Sequence, residues 1–399
     1  ALLFNAMGAG EAEVSLYRPG EDVRSMAGVL ETLGAVVSNQ SDGHEVTRIV
    51  VRGGGTSEEA GLPGSGGETL DCGNAGTAMR LLIGALAGRP GSATLVGDES
   101  LSSRPMERVA RPLRAVGASV TTSDGHAPVR VEGRRPLQAG QHDLGVASAQ
   151  VIGCLTLAGL AAKGTSVITV PGPTRDHSER MLAWLGAPVR REGPTTTVTG
   201  PAGFAARDII VPGDISAAAA WLVAGALHPD AHIVIEDVGL NPSRTGVIDV
   251  LRDMGADIKV ASGGPTELCP EPVGVITVSG GNPLRAIDIS GDRVADVIDE
   301  LPLIAVAMAA ADGRSTLSDA AELRVKESDR IALVAENLAA IGVEVEERPD
   351  GWTISRGVPR DAAIRTAADH RIAMAFAVAA LTGVAGTVDI DDPDCAAVS

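Results

Sequence analysis

The sequence predicts an α/β protein of two domains, each holding three copies of one helix-and-strand unit. Three observations carry this. Six times an Ala-rich apolar stretch runs through a short turn into a β-branched run, at 1–16, 78–96, 154–170, 218–235, 302–317 and 373–390. Five of those stretches are followed by one octet, Leu-x-x-apolar-Gly-small-x-apolar, at 30–37, 113–120, 182–189, 251–258 and 338–345. The octet glycines (Gly34, Gly117, Gly186, Gly255 and Gly342) recur 69 to 87 residues apart. That period is too long for a solenoid and suits a compact unit of two helices and several strands.

Each Ala-rich stretch reads as a helix, and the β-branched run after it as a strand. The octet reads as a second helix that stops at a Gly in the left-handed C′ position and passes directly into a strand. With three units on either side, the chain divides near Pro212-Gly213-Asp214, giving domains at 1–212 and 213–399 with a hinge at 211–214. Gly64-Ser65-Gly66-Gly67 and Gly263-Gly264-Pro265 read as surface turns within the halves. The sixth unit, from Asp369, has no octet, and the chain opens mid-helix at Ala1 without Met or an N-cap residue. Truncation at both ends is therefore expected.

A length of 399 residues leaves ample core for two domains. At 44% hydrophobic but 2% aromatic, that core must be built from Ala, Val, Leu and Ile, which lets helices and strands approach closely. A net charge of −18 opposes nucleic acid as a partner. No uninterrupted apolar run is long enough for a membrane span, and the N-terminus lacks a secretion signal. The four cysteines (Cys72, Cys154, Cys269, Cys395) form no C-x-x-C pair, which argues against a disulfide framework and against zinc. A cytoplasmic monomer is expected. The basic residues are thirty Arg against three Lys, so Lys326, inside Arg324-Val325-Lys326-Glu327-Ser328-Asp329-Arg330, is conspicuous.

Four segments join a polar or Gly-rich turn to an Ala-rich helix: Gly73-Asn74-Ala75-Gly76, Ala147-Ser148-Ala149-Gln150, Gly213-Asp214-Ile215-Ser216 and Asp369-His370-Arg371. Helix N-termini offer free N–H groups and partial positive charge to phosphate or carboxylate. Each segment alone is equally an ordinary N-cap. Together, with Arg at hand, they suggest a cleft for a small, highly anionic substrate. Arg104 precedes Pro105, a residue suited to starting a helix. Lys326 and Arg330 are four apart and would share one face if their segment is helical, with Glu327 and Asp329 as ion-pair partners. The alternative is a charged, exposed turn. Asp299 and Glu300 precede an apolar helix, where they serve at least as first-turn charges.

The motifs Gly73-Asn74-Ala75-Gly76-Thr77-Ala78-Met79-Arg80, Ser103-Arg104-Pro105-Met106, Asp299-Glu300-Leu301-Pro302, Leu323-Arg324-Val325-Lys326-Glu327-Ser328-Asp329-Arg330 and Asp369-His370-Arg371 closely resemble those of the 5-enolpyruvylshikimate-3-phosphate synthases, in order along nearly the whole chain. The resemblance implies a two-domain inside-out α/β barrel of six βαβαββ repeats, three per domain. It implies transfer of the enolpyruvyl group from phosphoenolpyruvate to the 5-hydroxyl of shikimate 3-phosphate, with release of phosphate. Phosphoenolpyruvate would be gripped by Arg104, Gln150, Arg330 and Arg371, with Lys326, Asn74 and Gly76 nearby. Shikimate 3-phosphate would sit against Ser148, Ala149, Gln150, Arg175, Asp299 and Lys326. Asp299, Glu327 and Lys326 would carry the acid–base chemistry, with no metal or organic cofactor. Glyphosate would be an inhibitor, accommodated where Gly76 leaves space beside Asn74 and Arg104. The wording around Ser148 and Thr174-Arg175-Asp176-His177 is similar to a more divergent branch of that family.

Two departures stand out against the family pattern. A Lys-Ser-x-x-x-Arg segment, which supplies a lysine and a substrate arginine, would lie just ahead of Ala1. Val398 occupies a position where many members have Lys. One alternative is a pseudoenzyme or binding module that keeps the fold without turnover. Another is a UDP-N-acetylglucosamine enolpyruvyl transferase, which would place a Cys in the loop at 100–106, where none stands.

Overall fold

In the computed structural model, residues 1–41, 46–64 and 66–398 are described, so Ser65 of the Gly64–Gly67 turn lies outside them. The chain separates into two compact units, Ala1–Val211 with Thr266–Glu271, and Pro212–Pro265 with Pro272–Ser399. The short 266–271 segment, between two strands of the second unit, thus packs with the first. Each unit has its own hydrophobic core.

The first unit is built on three apolar helices, Leu2–Met7, Gly76–Ala87 and Ala149–Gly159. Each runs into a strand, Glu11–Tyr17, Gly91–Val96 and Ala162–Thr169. These helices are buried nearly all round, so their small residues serve close approach. Gly84 shows how close, since a Cβ there would stand 2.1 Å from the Cys154 carbonyl oxygen. Helix Leu301–Ala310 of the second unit is buried from Leu301 through Ala309. Each Leu or Ile so buried contributes roughly 1.5–3 kcal/mol of transfer free energy. Its companions are Ile215–Leu227 and His370–Leu381. Within each unit, helices lie inside and sheets outside.

The sheets repeat one pattern. The strand after each buried helix of the first unit pairs antiparallel with one strand of a hairpin, and the second and third of these strands also pair in parallel with a strand ahead of their helix. The last strand of the unit, Ile209–Ile210, returns to pair in parallel with its first, Val14 facing Ile209. The three sub-units of the first unit therefore close into a ring.

The octets form the second helices and their exits. All five glycines are left-handed, with φ of 76°, 90°, 90°, 106° and 93° for Gly34, Gly117, Gly186, Gly255 and Gly342. In each, the residue after Gly donates its N–H to the carbonyl of the octet's leading Leu, as Ala35 does to Leu30 (2.8 Å) and Ala256 to Leu251 (2.9 Å). The Gly N–H bonds to the next carbonyl along, as Gly34 does to Glu31 (2.9 Å). This is the Schellman closure. It explains the octet's spacing: Leu and the residue after Gly are the two ends of one hydrogen bond, and only Gly adopts the intervening turn without strain.

Candidate active site

Most of the residues singled out in the sequence lie at the N-termini of the buried helices of their own unit. In the first unit, neither Asn74 nor Ser148 bonds the backbone of the helix it precedes. Asn74 instead links side chains: its Nδ2 donates to Asp98 (2.8 Å), and its Oδ1 accepts from Arg104 Nη2 (2.7 Å). Asp98 also caps the short helix Glu99–Ser103 through the Leu101 N–H. Arg104 is therefore held over the start of helix Gly76–Ala87. Pro105 does not open a helix. The next one starts at Glu107, with Met106 as its N-cap, because the Met106 N–H is spent on the Gly125 carbonyl.

Gln150, in the first turn of helix Ala149–Gly159, accepts from Arg80 Nη1 (2.5 Å) and donates to Thr77 (2.8 Å). Those two bonds fix which way its amide points. Arg80 is buried; burial lowers its guanidinium to about 10, and the nearby charges of Arg108 and Arg104 push the same way. A Cβ on Gly76 would lie 3.2 Å from both Arg104 Nη1 and Arg80 Nη1. Gly76, Arg80, Arg104, Asn74 and Gln150 thus form one cationic cluster. Ser148 and Ala149 stand half-buried beside Gln150. Arg175 sits on a different element, the loop ahead of helix His177–Trp184. There Arg191 braces the backbone, donating to the Arg175 carbonyl (3.3 Å), Thr174 (2.7 Å) and buried Glu179 (2.9 Å).

In the second unit the expectation of a helical face for Lys326 and Arg330 is corrected. Ala321–Val325 is a 3₁₀ turn, the backbone is extended at Lys326, and a new helix begins at Arg330. Asp329 ends the extended stretch by capping that helix through the Ala332 N–H (3.0 Å). Lys326 and Arg330 meet nonetheless, on Asp299, at 3.7 and 3.6 Å from the same Oδ1. Arg330 also binds Glu327 (2.7 Å) and, from Nε, Asp369 (2.8 Å). Its side chain is 1% exposed, and its Nη1 makes no hydrogen bond among the described residues.

Burial raises the Asp369 carboxyl, but Arg330 and the Ser328 hydroxyl outweigh it and hold the group below its ordinary range. The carboxylates of Asp369, Glu327 and Asp299 in turn keep Arg330 charged against burial, with its value raised. Arg371 donates from Nη1 to the Asp299 carbonyl (2.9 Å), and the Asp369 carboxylate caps its N–H (3.0 Å). Between them His370 is pushed down to about 4, first by burial and then by the Arg371 charge. Asp299, Lys326, Glu327, Arg330 and Arg371 thus form one alternating cluster of acids and bases.

Reading motifs along the chain misses Arg244 and gives no role of their own to Arg80 and Ser216, which stand inside the segments 73–80 and 213–216. Ser216 and Arg244 bond each other, and Ser216 also bonds buried Glu300. The one available signal for Arg80 is an arginine inside an otherwise apolar helix. Among the described residues no group of His, Cys, Asp and Glu is arranged to hold a metal ion, and no helix is long and apolar enough to cross a membrane.

The fold is that of the enolpyruvyl transferases. The chain superimposes on the enolpyruvyl transferase NikO from Streptomyces tendae with a TM-score of 0.72 at 20% identity, covering 99% of this chain and 88% of that one, a likeness of fold alone. The chain belongs to the EPSP synthase (3-phosphoshikimate 1-carboxyvinyltransferase) family, whose model matches residues 1–399. It is 47% identical over 403 residues to the 3-phosphoshikimate 1-carboxyvinyltransferase of Gloeobacter violaceus, covering 100% of this chain and 90% of that one. The corresponding protein of Salinibacter ruber is 46% identical over 410 residues, with the same coverage. EPSP synthase from Acinetobacter baumannii superimposes with a TM-score of 0.85 at 37% identity, covering 100% of this chain and 89% of that structure.

Proposed function

We propose that this protein transfers the enolpyruvyl group of phosphoenolpyruvate to the 5-hydroxyl of shikimate 3-phosphate. The observation that carries the reading is family membership across residues 1–399. The clusters in both units supply the chemistry such a transfer needs. The 5-oxygen adds to C2 of the enolpyruvyl group while C3 takes a proton; C3 then loses a proton and phosphate leaves, restoring the double bond. The first step needs a base at the hydroxyl and an acid at the methylene carbon.

Asp299 is the base in this reading and Glu327 the acid, each beside a cation, Lys326 for Asp299 and Arg330 for both. Shikimate 3-phosphate is held by Ser148, Ala149, Gln150, Arg175, Asp299 and Lys326. Arg104, Gln150, Arg330, Arg371 and Lys326 take phosphoenolpyruvate, with Asn74 orienting Arg104 and Gly76 leaving room. Fixed guanidinium groups stabilise the charge that builds on carboxylate and phosphate without a metal or organic cofactor. Glyphosate occupies the phosphoenolpyruvate side beside Gly76. The protein works as a cytoplasmic monomer.

The test is phosphate release from the full-length gene product given both substrates, with the enolpyruvyl ether identified as product. Binding of both substrates without phosphate release would leave a binding module in place of an enzyme.

A further inference from the structure

We infer that Glu300 is a positioning residue that sets Arg371 and the Asp299 backbone for phosphoenolpyruvate, an inference that rests on Arg371 gripping that substrate. Glu300 is 1% exposed. Its carboxylate accepts from the Ser216 hydroxyl. That hydroxyl in turn accepts from Arg244 Nη2, so its single proton is directed to Glu300. The same Glu300 oxygen lies 3.7 Å from Arg244 Nη2 and 3.7 Å from Arg371 Nη1.

These groups come from the starts of all three buried helices of the second unit: Ser216 from Ile215–Leu227, Glu300 ahead of Leu301–Ala310, and Arg371 from His370–Leu381. One anion thus sits between two cations at the junction of three helix N-termini, where negative charge is favoured. Arg371 Nη1 donates to the Asp299 carbonyl (2.9 Å) and faces the Glu300 carboxylate at ion-pair distance, while its Nη2 and Nε have no hydrogen-bond partner among the described residues. Glu300 therefore fixes the inner edge of that guanidinium and leaves the outer edge for a ligand. Without the carboxylate, two guanidinium groups that share one oxygen would repel.

Glu300→Gln separates positioning from charge by sign. The amide keeps an acceptor for Ser216 and removes one negative charge. A purely electrostatic role predicts tighter binding of anionic phosphoenolpyruvate and a lower KM. Positioning predicts a KM raised about tenfold to a hundredfold, the range for one lost charge-assisted contact, with the KM for shikimate 3-phosphate changed less than about threefold.

A lowered or unchanged phosphoenolpyruvate KM, in a variant melting like the parent, overturns the inference. Equal rises in both KM values overturn it too, since they mark a general structural defect. If Glu300→Gln does not fold, Ser216→Ala unlocks the same carboxylate. It should raise the phosphoenolpyruvate KM several-fold, and an unchanged value rejects the role. Arg371→Lys tests the underlying reading on its own: a normal phosphoenolpyruvate KM there removes Arg371 from the substrate, whatever Glu300 does.

Discussion

Gly76→Ala puts a methyl group where the first unit's cationic cluster is tightest. The new Cβ would lie 3.2 Å from Arg104 Nη1, 3.2 Å from Arg80 Nη1 and 3.5 Å from Leu101 Cδ1. Relief to an ordinary carbon–nitrogen contact of about 3.5 Å needs a shift of about 0.3 Å. Arg80 is buried and bonded to Gln150, whereas Arg104 is half-exposed and hangs on Asn74. Arg104 therefore yields first, and the equal contact to Arg80 is relieved only as far as that side-chain end can shift against Gln150. The strain is taken up by a side-chain end, and Ala in place of Gly regains up to about 1 kcal/mol of helix propensity, so the melting temperature should stay near that of the parent.

The functional effect falls on whatever reaches the Arg104 edge. Phosphoenolpyruvate is the shorter ligand, and its KM should rise less than about fivefold, or roughly 1 kcal/mol. In the proposed placement glyphosate would extend further toward Gly76, and its inhibition constant should rise more than about tenfold, or roughly 1.4 kcal/mol and above. Initial rates of phosphate release at varied phosphoenolpyruvate, with and without glyphosate, measure both. Equal factors for the two ligands would refute the reasoning and assign Gly76 to the backbone turn alone.

Gly84→Ala makes the opposite case, since its Cβ would meet the Cys154 carbonyl oxygen at 2.1 Å and that backbone cannot swing away. It should cost at least about 1–3 kcal/mol in urea unfolding, and parental stability would show that the two helices can part. Arg330→Met leaves Asp369, at 0% exposure, without its cation and should cost about 3–5 kcal/mol by the same assay. A loss under about 1 kcal/mol would mean that the pair contributes little. His370 titrates at about 4 in the folded chain against 6.5 ordinarily, so between those values the unfolded chain takes up a proton that the folded one refuses. The His370 contribution should therefore be lost as pH drops from 6.5 to 4, by about 2–3 kcal/mol after allowance for partial solvent access, and protonation of Asp369, held below its ordinary range, continues the fall at lower pH. His370→Gln should flatten that stretch of the curve; an identical slope would place the titration elsewhere.

The octet was legible because it is a local device. Leu30, Gly34 and Ala35 close one hydrogen-bonded turn, so the pattern and the structure that causes it span the same few residues. The Ala-rich helices were legible for a related reason, since a helix enclosed on every side tolerates no polar face. Whether Lys326 and Arg330 share a helical face stays open in the sequence, because a spacing of four carries no information about a break between them. The break comes from Asp329, whose carboxylate is a stronger cap than a helix-interior residue.

Glu300 shows the limit more sharply. In the sequence it is one acidic residue before a helix, and a first-turn charge is a sufficient reason for it. Its role depends on Ser216, 84 residues away, and on Arg244 and Arg371 from other elements. Nothing local distinguishes it from Glu99, which opens a short helix in the first unit. The difference is burial, and burial is a property of the ring of helices, not of the segment. Residues proposed to touch ligand sit in motifs because the backbone turn that presents them is local. Residues that aim those side chains are recruited from the other helix ends. The same geometry that gathers these N-termini therefore hides the link from Arg244 and Ser216 through Glu300 to Arg371 from a reading made one segment at a time.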